Sequence, residues 1–189
     1  MRIDCPGDCP YLIAAHRYQT QRPVERRGVG RARPARSELA FATVEIDADF
    51  LQEKQELIAG LSLLIVRFAG EHSEVRDPDV LAALDALAQS YQTLESGLYY
   101  EKPPESAAAR VVYAAAQSYL NHYAEEQQKR TGMSVRPGEV LRAVVFLRRL
   151  GQLEANGRPL SRRYLGFLRA QLPAEATAGR EPRLIVPGA

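Results

Sequence analysis

Apolar side chains recur at intervals of three and four residues along most of the chain from residue 49 to residue 171. This spacing places them on one face of an α-helix. Between Asp49 and Gly70 the pattern predicts one long amphipathic helix. The side chains expected on its inner face are Phe50, Leu57, Ile58, Leu61, Leu64, Ile65 and Phe68.

A second helix is predicted over the stretch DPDVLAALDALAQSYQTLESG. Asp77 is suited to cap its first turn, Pro78 fits the first helical position, and Gly97 ends it. Its apolar stripe is expected to consist of Leu81, Leu84, Ala88, Tyr91 and Leu94.

Three more helices follow from the same spacing. The third ends at Gly132 with basic residues in its last turn, where the helix dipole favours cations. Its expected inner face is Val112, Ala115, Tyr119, His122 and Tyr123. The fourth uses Val140, Leu141, Val144, Leu147 and Leu150. The last covers residues 161–171, with Tyr164, Leu165 and Leu168 inside.

The predicted fold class is therefore all-α, a bundle of four to five amphipathic helices. Only LAFATVEI, residues 39–46, alternates as a strand does, and an extended linker is expected there because no second strand could pair with it. The predicted organisation has four segments: a Cys-containing N-terminal segment with a short helix (1–22), a basic linker (23–46), the helical bundle (47–172) and a flexible tail (173–189).

Composition and length agree with one soluble domain. The chain has 189 residues, of which 46% are hydrophobic and 25% charged. No apolar run reaches the roughly 20 residues of a membrane span, and the first residues lack the apolar region of a secretory signal. We expect a cytoplasmic protein that has no membrane contact.

Charge is segregated along the chain. Residues 17–36 hold seven arginines and one acid, residues 46–101 hold eleven acids and three bases, and residues 141–169 hold seven arginines and one acid. This pattern is consistent with a basic surface that faces an acidic one, within the fold or between copies, and equally with solvated helix faces of mixed charge. An anionic partner such as nucleic acid also stays open.

The stretch CPGDCPYLIAAHR places Cys5 and Cys9 four residues apart, and Pro10 favours a helix that starts with Cys9 at its positive end. Such a thiol has a lowered pKa, which favours metal ligation or thiol redox chemistry. Three interpretations stay open: half of a zinc site completed by His16 or a distant ligand, a redox dithiol, and simple capping and packing.

The linker sequence GRARPAR resembles the AT-hook core, a Gly-Arg-Pro turn that places arginines in the minor groove of DNA. Ala32 stands where that core has glycine. The resemblance thus implies phosphate contacts by Arg31, Arg33 and Arg36. Arg162 and Arg163, in the last predicted helix, are candidates to extend this basic patch.

No nucleophile elbow, phosphate-binding loop or Glu-x-x-His motif occurs in the sequence. We therefore expect a protein that acts by binding, most simply a protein–protein interaction or self-associating module. Nucleic-acid binding is the first alternative, and thiol redox chemistry at Cys5 and Cys9 is the second. No cofactor is expected, apart from a zinc ion if Cys5 and Cys9 ligate one.

Overall fold

The structure is a computed structural model, and it describes residues 41–173. This part of the chain is all-α and has no strand. Its helices are α1 (Ala48–Glu53), α2 (Gln55–Glu71), α3 (Asp77–Glu95), α4 (Ala107–Thr131), α5 (Pro137–Glu154) and α6 (Arg163–Gln171). The predicted all-α bundle is confirmed.

Local sequence explains where the helices begin and end. The Asp47 carboxylate accepts the Phe50 N–H at 2.7 Å and caps α1. Ser106 caps α4 through the Ala109 N–H at 3.4 Å. Gly132 then ends α4 in a left-handed conformation, with φ of 73°. Such a conformation suits glycine, which has no β-carbon.

The long helix predicted between residues 49 and 70 is interrupted at Lys54. This residue leaves helical geometry, with φ of −102° and ψ of 19°, and separates α1 from α2. Backbone hydrogen bonds still run on either side, from Lys54 N–H to Phe50 O and from Ile58 N–H to Lys54 O. The Lys54 ammonium lies 3.0 Å from Glu139 on α5, which fixes the interruption against a neighbouring helix.

The helices form a four-membered ring with α6 packed on it. Helix α2 packs against α4 and α5, and α3 packs against the same two helices from the other side. Helix α6 contacts α2, α3 and α5. Because three helices surround it, α6 buries Tyr164, Leu165 and Leu168, as predicted.

The prediction of which side chains of α4 face the core is wrong, because the buried face is rotated about the helix axis from the predicted one. The buried side chains are Ala109, Val112, Tyr113, Ala116 and Leu120. Of the predicted set only Val112 is buried, whereas Ala115, Tyr119 and Tyr123 are half-buried and His122 is exposed. On α3 the buried apolar stripe runs through Val80, Leu84 and Leu87, so Leu81 and Leu94 lie beside it.

Residues 41–46 form a turn followed by irregular chain, which agrees with a linker in place of a strand. Phe41 is nevertheless buried in the core, at 1% exposure. The predicted segments 1–22 and 173–189 lie outside the described residues, apart from Pro173, so the predicted domain boundaries stay predictions. No helix in the described part is both long and apolar enough to cross a bilayer.

Candidate functional site

Most of the residues predicted to carry chemistry lie outside the described part of the chain. They are Cys5, Cys9, His16, Arg31, Arg33 and Arg36. Within residues 41–173, no group of three or more His, Cys, Asp or Glu side chains is placed to hold a metal ion. The zinc, thiol and phosphate-contact predictions therefore stay predictions.

The two remaining candidates, Arg162 and Arg163, have partners inside the fold. Arg162 donates a hydrogen bond from Nη2 to the backbone oxygen of Ala69 near the end of α2. Arg163 Nη2 lies 4.0 Å from Glu154 Oε2, with 65% of the arginine side chain exposed. An anion would have to compete with a backbone carbonyl for Arg162, and would meet Arg163 in a weak surface pair.

In the described residues, two arginines of the basic stretch 141–169 pair with acids of the stretch 46–101. Arg142 on α5 binds the Asp47 carboxylate at 2.9 Å, and Arg148 binds Asp85 across the contact of α5 with α3. The Phe50 N–H, followed by Arg142, lowers the pKa of Asp47. Of the two arrangements that the charge pattern left open, the intramolecular one accounts for these arginines.

Helix α5 also holds the chain that precedes α1. Arg149 donates to the backbone oxygens of Phe41 at 2.7 Å and Val44 at 3.0 Å. Arg142 Nε donates to the backbone oxygen of Glu45 at 2.8 Å. Arg148 lies over the Phe41 ring, 5.1 Å from its centroid. Arg142 and Arg149 thus hold the backbone of residues 41–45 against α5, and Arg148 contacts the Phe41 ring.

A buried carboxylate joins α3 to α6. Asp77 is fully buried, and its carboxylate accepts hydrogen bonds from Ser161 Oγ at 2.6 Å and from the N–H groups of Tyr164 and Leu165, each at 3.2 Å. The Asp77 N–H donates in turn to the Ser161 backbone oxygen at 2.8 Å. Asp77 was predicted to cap its own helix. It instead caps α6, whose free N–H groups and positive dipole end face the carboxylate.

A groove of about 420 Å³ runs between α2, α5 and α6. We call it the apolar groove. Its lining among the described residues is Leu51, Gln55, Ile58, Ala59, Ser62, Phe146, Leu147, Leu150, Phe167, Leu168, Gln171 and Leu172. None of these side chains carries a charge, and the Ser62 hydroxyl is already bonded to the Ile58 backbone oxygen at 2.8 Å. The groove therefore offers mainly apolar contact, and the side-chain amides of Gln55 and Gln171 are its exposed hydrogen-bonding groups.

A second, smaller cavity of about 120 Å³ lies between α3, α4 and the loop that joins them. We call it the tyrosine pocket. The described residues that line it are Leu87, Ser90, Tyr91, Leu94, Tyr99, Tyr100, Glu101, Tyr113, Gln117 and Asn121. Four tyrosines and one glutamate thus share a small space.

The loop beside the tyrosine pocket is fixed by the end of α3. The Gly97 N–H bonds to the Leu94 oxygen at 3.0 Å and the Leu98 N–H to the Thr93 oxygen at 2.9 Å, the two bonds of a Schellman motif. Gly97 has φ of 79°, which such a motif requires. The chain reverses there, and the Tyr100 oxygen comes within 3.3 Å of Thr93 Oγ1, which also lies 2.8 Å from the Ser90 oxygen. The reversal brings the loop tyrosines back against α3.

Hydrogen bonds hold Glu101 inside the tyrosine pocket. Its Oε1 accepts from the Tyr99 hydroxyl at 2.6 Å and from the Gln117 side-chain amide. The bond to Glu101 raises the pKa of Tyr99, and burial raises the pKa of Tyr91 to about 12 and that of Tyr113. All three hydroxyls thus stay neutral at physiological pH while the carboxylate accepts from one of them.

Comparison of the chain with protein-family models, with curated proteins and with solved structures finds no match. Sequence reasoning missed both cavities. The signal for the tyrosine pocket is the run LYYE after Gly97, where adjacent aromatic residues stand in a loop. The apolar groove has a weaker signal, because its side chains belong to the same stripes that fill the core.

Proposed function

We propose that the protein is a self-associating interaction module and that two copies pair through the apolar groove. The observation that supports this most directly is the absence of charge among the described residues that line the groove, in a chain of which 25% is charged. Depletion of charged residues and enrichment of aromatic ones mark the centre of protein–protein interfaces. Phe146 on α5 and Phe167 on α6 supply aromatic surface to the lining.

A second copy fits this surface for electrostatic reasons. In a twofold dimer the same patch meets itself, so any charge on it faces its own like charge. A lining without charge avoids that repulsion. The formal net charge of +2 on the whole chain adds little repulsion between copies.

The α5 face that borders the groove also carries a projecting apolar side chain, which can enter the groove of a second copy. Phe146, Leu150 and Leu153 are spaced by four and three residues on α5 and therefore share one helix face. Phe146 and Leu150 line the groove, whereas the Leu153 side chain is 80% exposed. Each copy thus brings a concave and a projecting apolar element, and pairing would extend past the groove toward the roughly 800 Å² per partner that stable complexes bury.

Sedimentation velocity of the full chain over a wide concentration range tests the proposal. We expect a monomer–dimer equilibrium that salt does not weaken, because apolar burial is not screened. Ala59→Glu and Leu153→Glu place a charge on the exposed part of this face, and each is expected to weaken dimerisation at least tenfold. Leu160→Glu is the matched control, since Leu160 is also 80% exposed but lies in the loop before α6, outside the groove lining.

A wild-type protein that stays monomeric at every concentration contradicts the proposal. So does a dimer that Leu160→Glu disrupts as strongly as Leu153→Glu. A dimer that dissociates as salt rises would indicate pairing of the charged segments in place of the groove.

A further inference from the structure

The tyrosine pocket is separate from the apolar groove. It lies between α3 and α4, shares no lining residue with the groove, and has polar as well as apolar walls. Glu101 is the one formally charged side chain among its described lining residues. The pocket therefore attracts a cation and repels an anion.

The nature of the lining selects the kind of cation. Tyrosine rings attract a cation through the negative face of the π-system, and such contacts strengthen where water is excluded. Mg²⁺ and Ca²⁺ need several oxygen ligands. Here Glu101 is the only carboxylate, and its Oε1 is already used by Tyr99 and Gln117. A cation whose surface is carbon, and which gives up little hydration, fits these walls better than a bare metal ion.

The pocket has room for a compact head group. Its volume of about 120 Å³ is several times the roughly 10–15 Å³ that one water molecule needs. Tyr99 and Tyr100, at 77% and 61% exposure, leave the pocket open toward solvent. The rest of the molecule that carries the cation can therefore lie outside the pocket.

We propose that the tyrosine pocket binds a methylated ammonium group, with the Glu101 carboxylate opposite the positive charge and the tyrosine rings against the methyl groups. This group occurs at the end of free choline-like molecules and on trimethylated lysine side chains. The chemistry of recognition is shared, and the source is distinguished by experiment. The site is independent of dimerisation through the groove.

The tyrosine hydroxyls are neutral at physiological pH, because the ordinary pKa of a tyrosine is already about 10. Glu101 is therefore the only negative group among the described lining residues. The Tyr113 hydroxyl lies 3.3 Å from Ser90 Oγ and so has a partner on α3. Tyr99 and Tyr100, at 77% and 61% exposure, form the outer wall.

The test is an NMR titration of the full chain with tetramethylammonium, with choline and with 3,3-dimethylbutanol, the neutral carbon analogue of choline. We expect saturable shifts of the Gln117 side-chain amide with both cations and none with the alcohol. A peptide that carries trimethyllysine, compared with its unmodified form, then identifies the source. Preference for the modified peptide over choline indicates a protein ligand, and the reverse preference indicates a small molecule.

Variants assign the effect to the pocket. Glu101→Gln removes the charge and is expected to weaken binding of tetramethylammonium about tenfold. Tyr99→Leu keeps apolar bulk at an exposed position but removes the π-face, and is expected to weaken binding about two- to fivefold. Glu105→Gln is the matched control, because Glu105 is an exposed glutamate of the same loop and does not line the pocket.

Three results would overturn the assignment. The first is the absence of saturable shifts with either cation. The second is equal binding of 3,3-dimethylbutanol, which would make the pocket merely apolar. The third is a loss with Glu105→Gln as large as with Glu101→Gln, which would make the effect one of general surface charge.

Discussion

Two helix contacts in the bundle use polar groups in opposite ways. The contact of α3 with α5 and α6 encloses Asp77, Arg148 and Tyr164, at 0%, 3% and 0% exposure. The contact of α2 with α4 carries its ion pair at the surface, where Arg130 and Glu56 are 2.7 Å apart with side chains 60% and 61% exposed. The two contacts thus differ in the exposure of their polar groups to water.

Burial determines how much each polar contact contributes to stability. Water replaces the lost partner of an exposed group, whereas a buried donor or acceptor left without a partner keeps its full desolvation cost. We therefore expect the α3–α5–α6 contact to be sensitive to single substitutions and the α2–α4 contact to tolerate them. Five measurements test this contrast, from the largest expected effect to the smallest.

Asp77→Ala should break the buried contact most severely. It removes the acceptor of three hydrogen bonds and leaves the Ser161 hydroxyl and two α6 N–H groups without it. The free energy of unfolding is expected to fall by about 3 kcal/mol or more, measured by urea denaturation. Asp49→Ala, at an exposed acid of α1, is the control and should change it by less than about 0.5 kcal/mol. Equal effects would remove the distinction by burial.

Arg148→Met tests the buried ion pair. It deprives Asp85 of its partner and Gln152 of a hydrogen bond of 3.2 Å, so a loss of about 2 kcal/mol in unfolding free energy is expected. This figure is below that of a fully buried pair because the Asp85 side chain is 27% exposed. Adding Asp85→Leu should restore part of the loss. A double variant less stable than Arg148→Met alone would contradict the desolvation argument.

A pair of glycine substitutions compares the two contacts directly. A β-carbon on Gly151 would lie 2.7 Å from Leu81 Cδ2 and 2.8 Å from Tyr164 Cε1, inside the buried contact. A β-carbon on Gly60 would overlap the hydroxyl of half-buried Tyr119, which has solvent to turn toward. Both alanines gain helix propensity of about 1 kcal/mol. Gly151→Ala should nevertheless lose about 1 kcal/mol net in thermal unfolding, and Gly60→Ala should be close to neutral.

The dependence of stability on alkaline pH compares the two contacts through buried Tyr164 and half-buried Tyr119. Burial raises the pKa of Tyr164, and it raises that of Tyr119 to about 12. Above about pH 10 the unfolded state loses these protons while the folded state keeps them, so the unfolding free energy falls as pH rises. For Tyr119 the fall ends near pH 12, and for the more deeply buried Tyr164 it continues to higher pH. Tyr164→Phe should therefore flatten the pH dependence more than Tyr119→Phe does.

The exposed pair should matter least. Arg130→Ala is expected to change the unfolding free energy by less than about 0.5 kcal/mol, and high salt should erase the difference from wild type. Chemical denaturation at two ionic strengths measures this. A salt-resistant loss above about 1 kcal/mol would mean that the surface contact stabilises the bundle as the buried one does.

The sequence predicted the helices well but only some of their faces. On α5 and α6 the apolar side chains are large and closely spaced, and the predicted inner residues Val140, Leu147 and Leu168 are buried. On α4 two of the five buried residues are alanines, which fit almost any phase, and the prediction shifted to Ala115 and His122. Small side chains carry too little hydrophobic contrast to fix the rotation of a helix.

Long-range polar contacts could not be predicted from sequence. The residues around Asp77 indicate a cap for its own helix. They do not predict its hydrogen bond with Ser161, which lies 84 residues away. The charge segregation allowed contacts between acidic and basic stretches, and two such ion pairs occur in the described residues, but it did not pair Arg148 with Asp85. For the tyrosine pocket, the sequence placed Tyr91 only in the apolar stripe of its helix, because the loop comes against it through the reversal after Gly97.

The capping of α6 by Asp77 also sets an order of events along the chain. A nine-residue helix is too short to persist alone in water, so α6 can form stably only after α3 presents its carboxylate. Helix α3 is synthesised first and holds an unmatched charge until residue 161 has emerged. Amide hydrogens at Tyr164 and Leu165 should consequently exchange with solvent only when Asp77 separates from them. Their exchange rates in α6 therefore measure how often the contact between α3 and α6 opens.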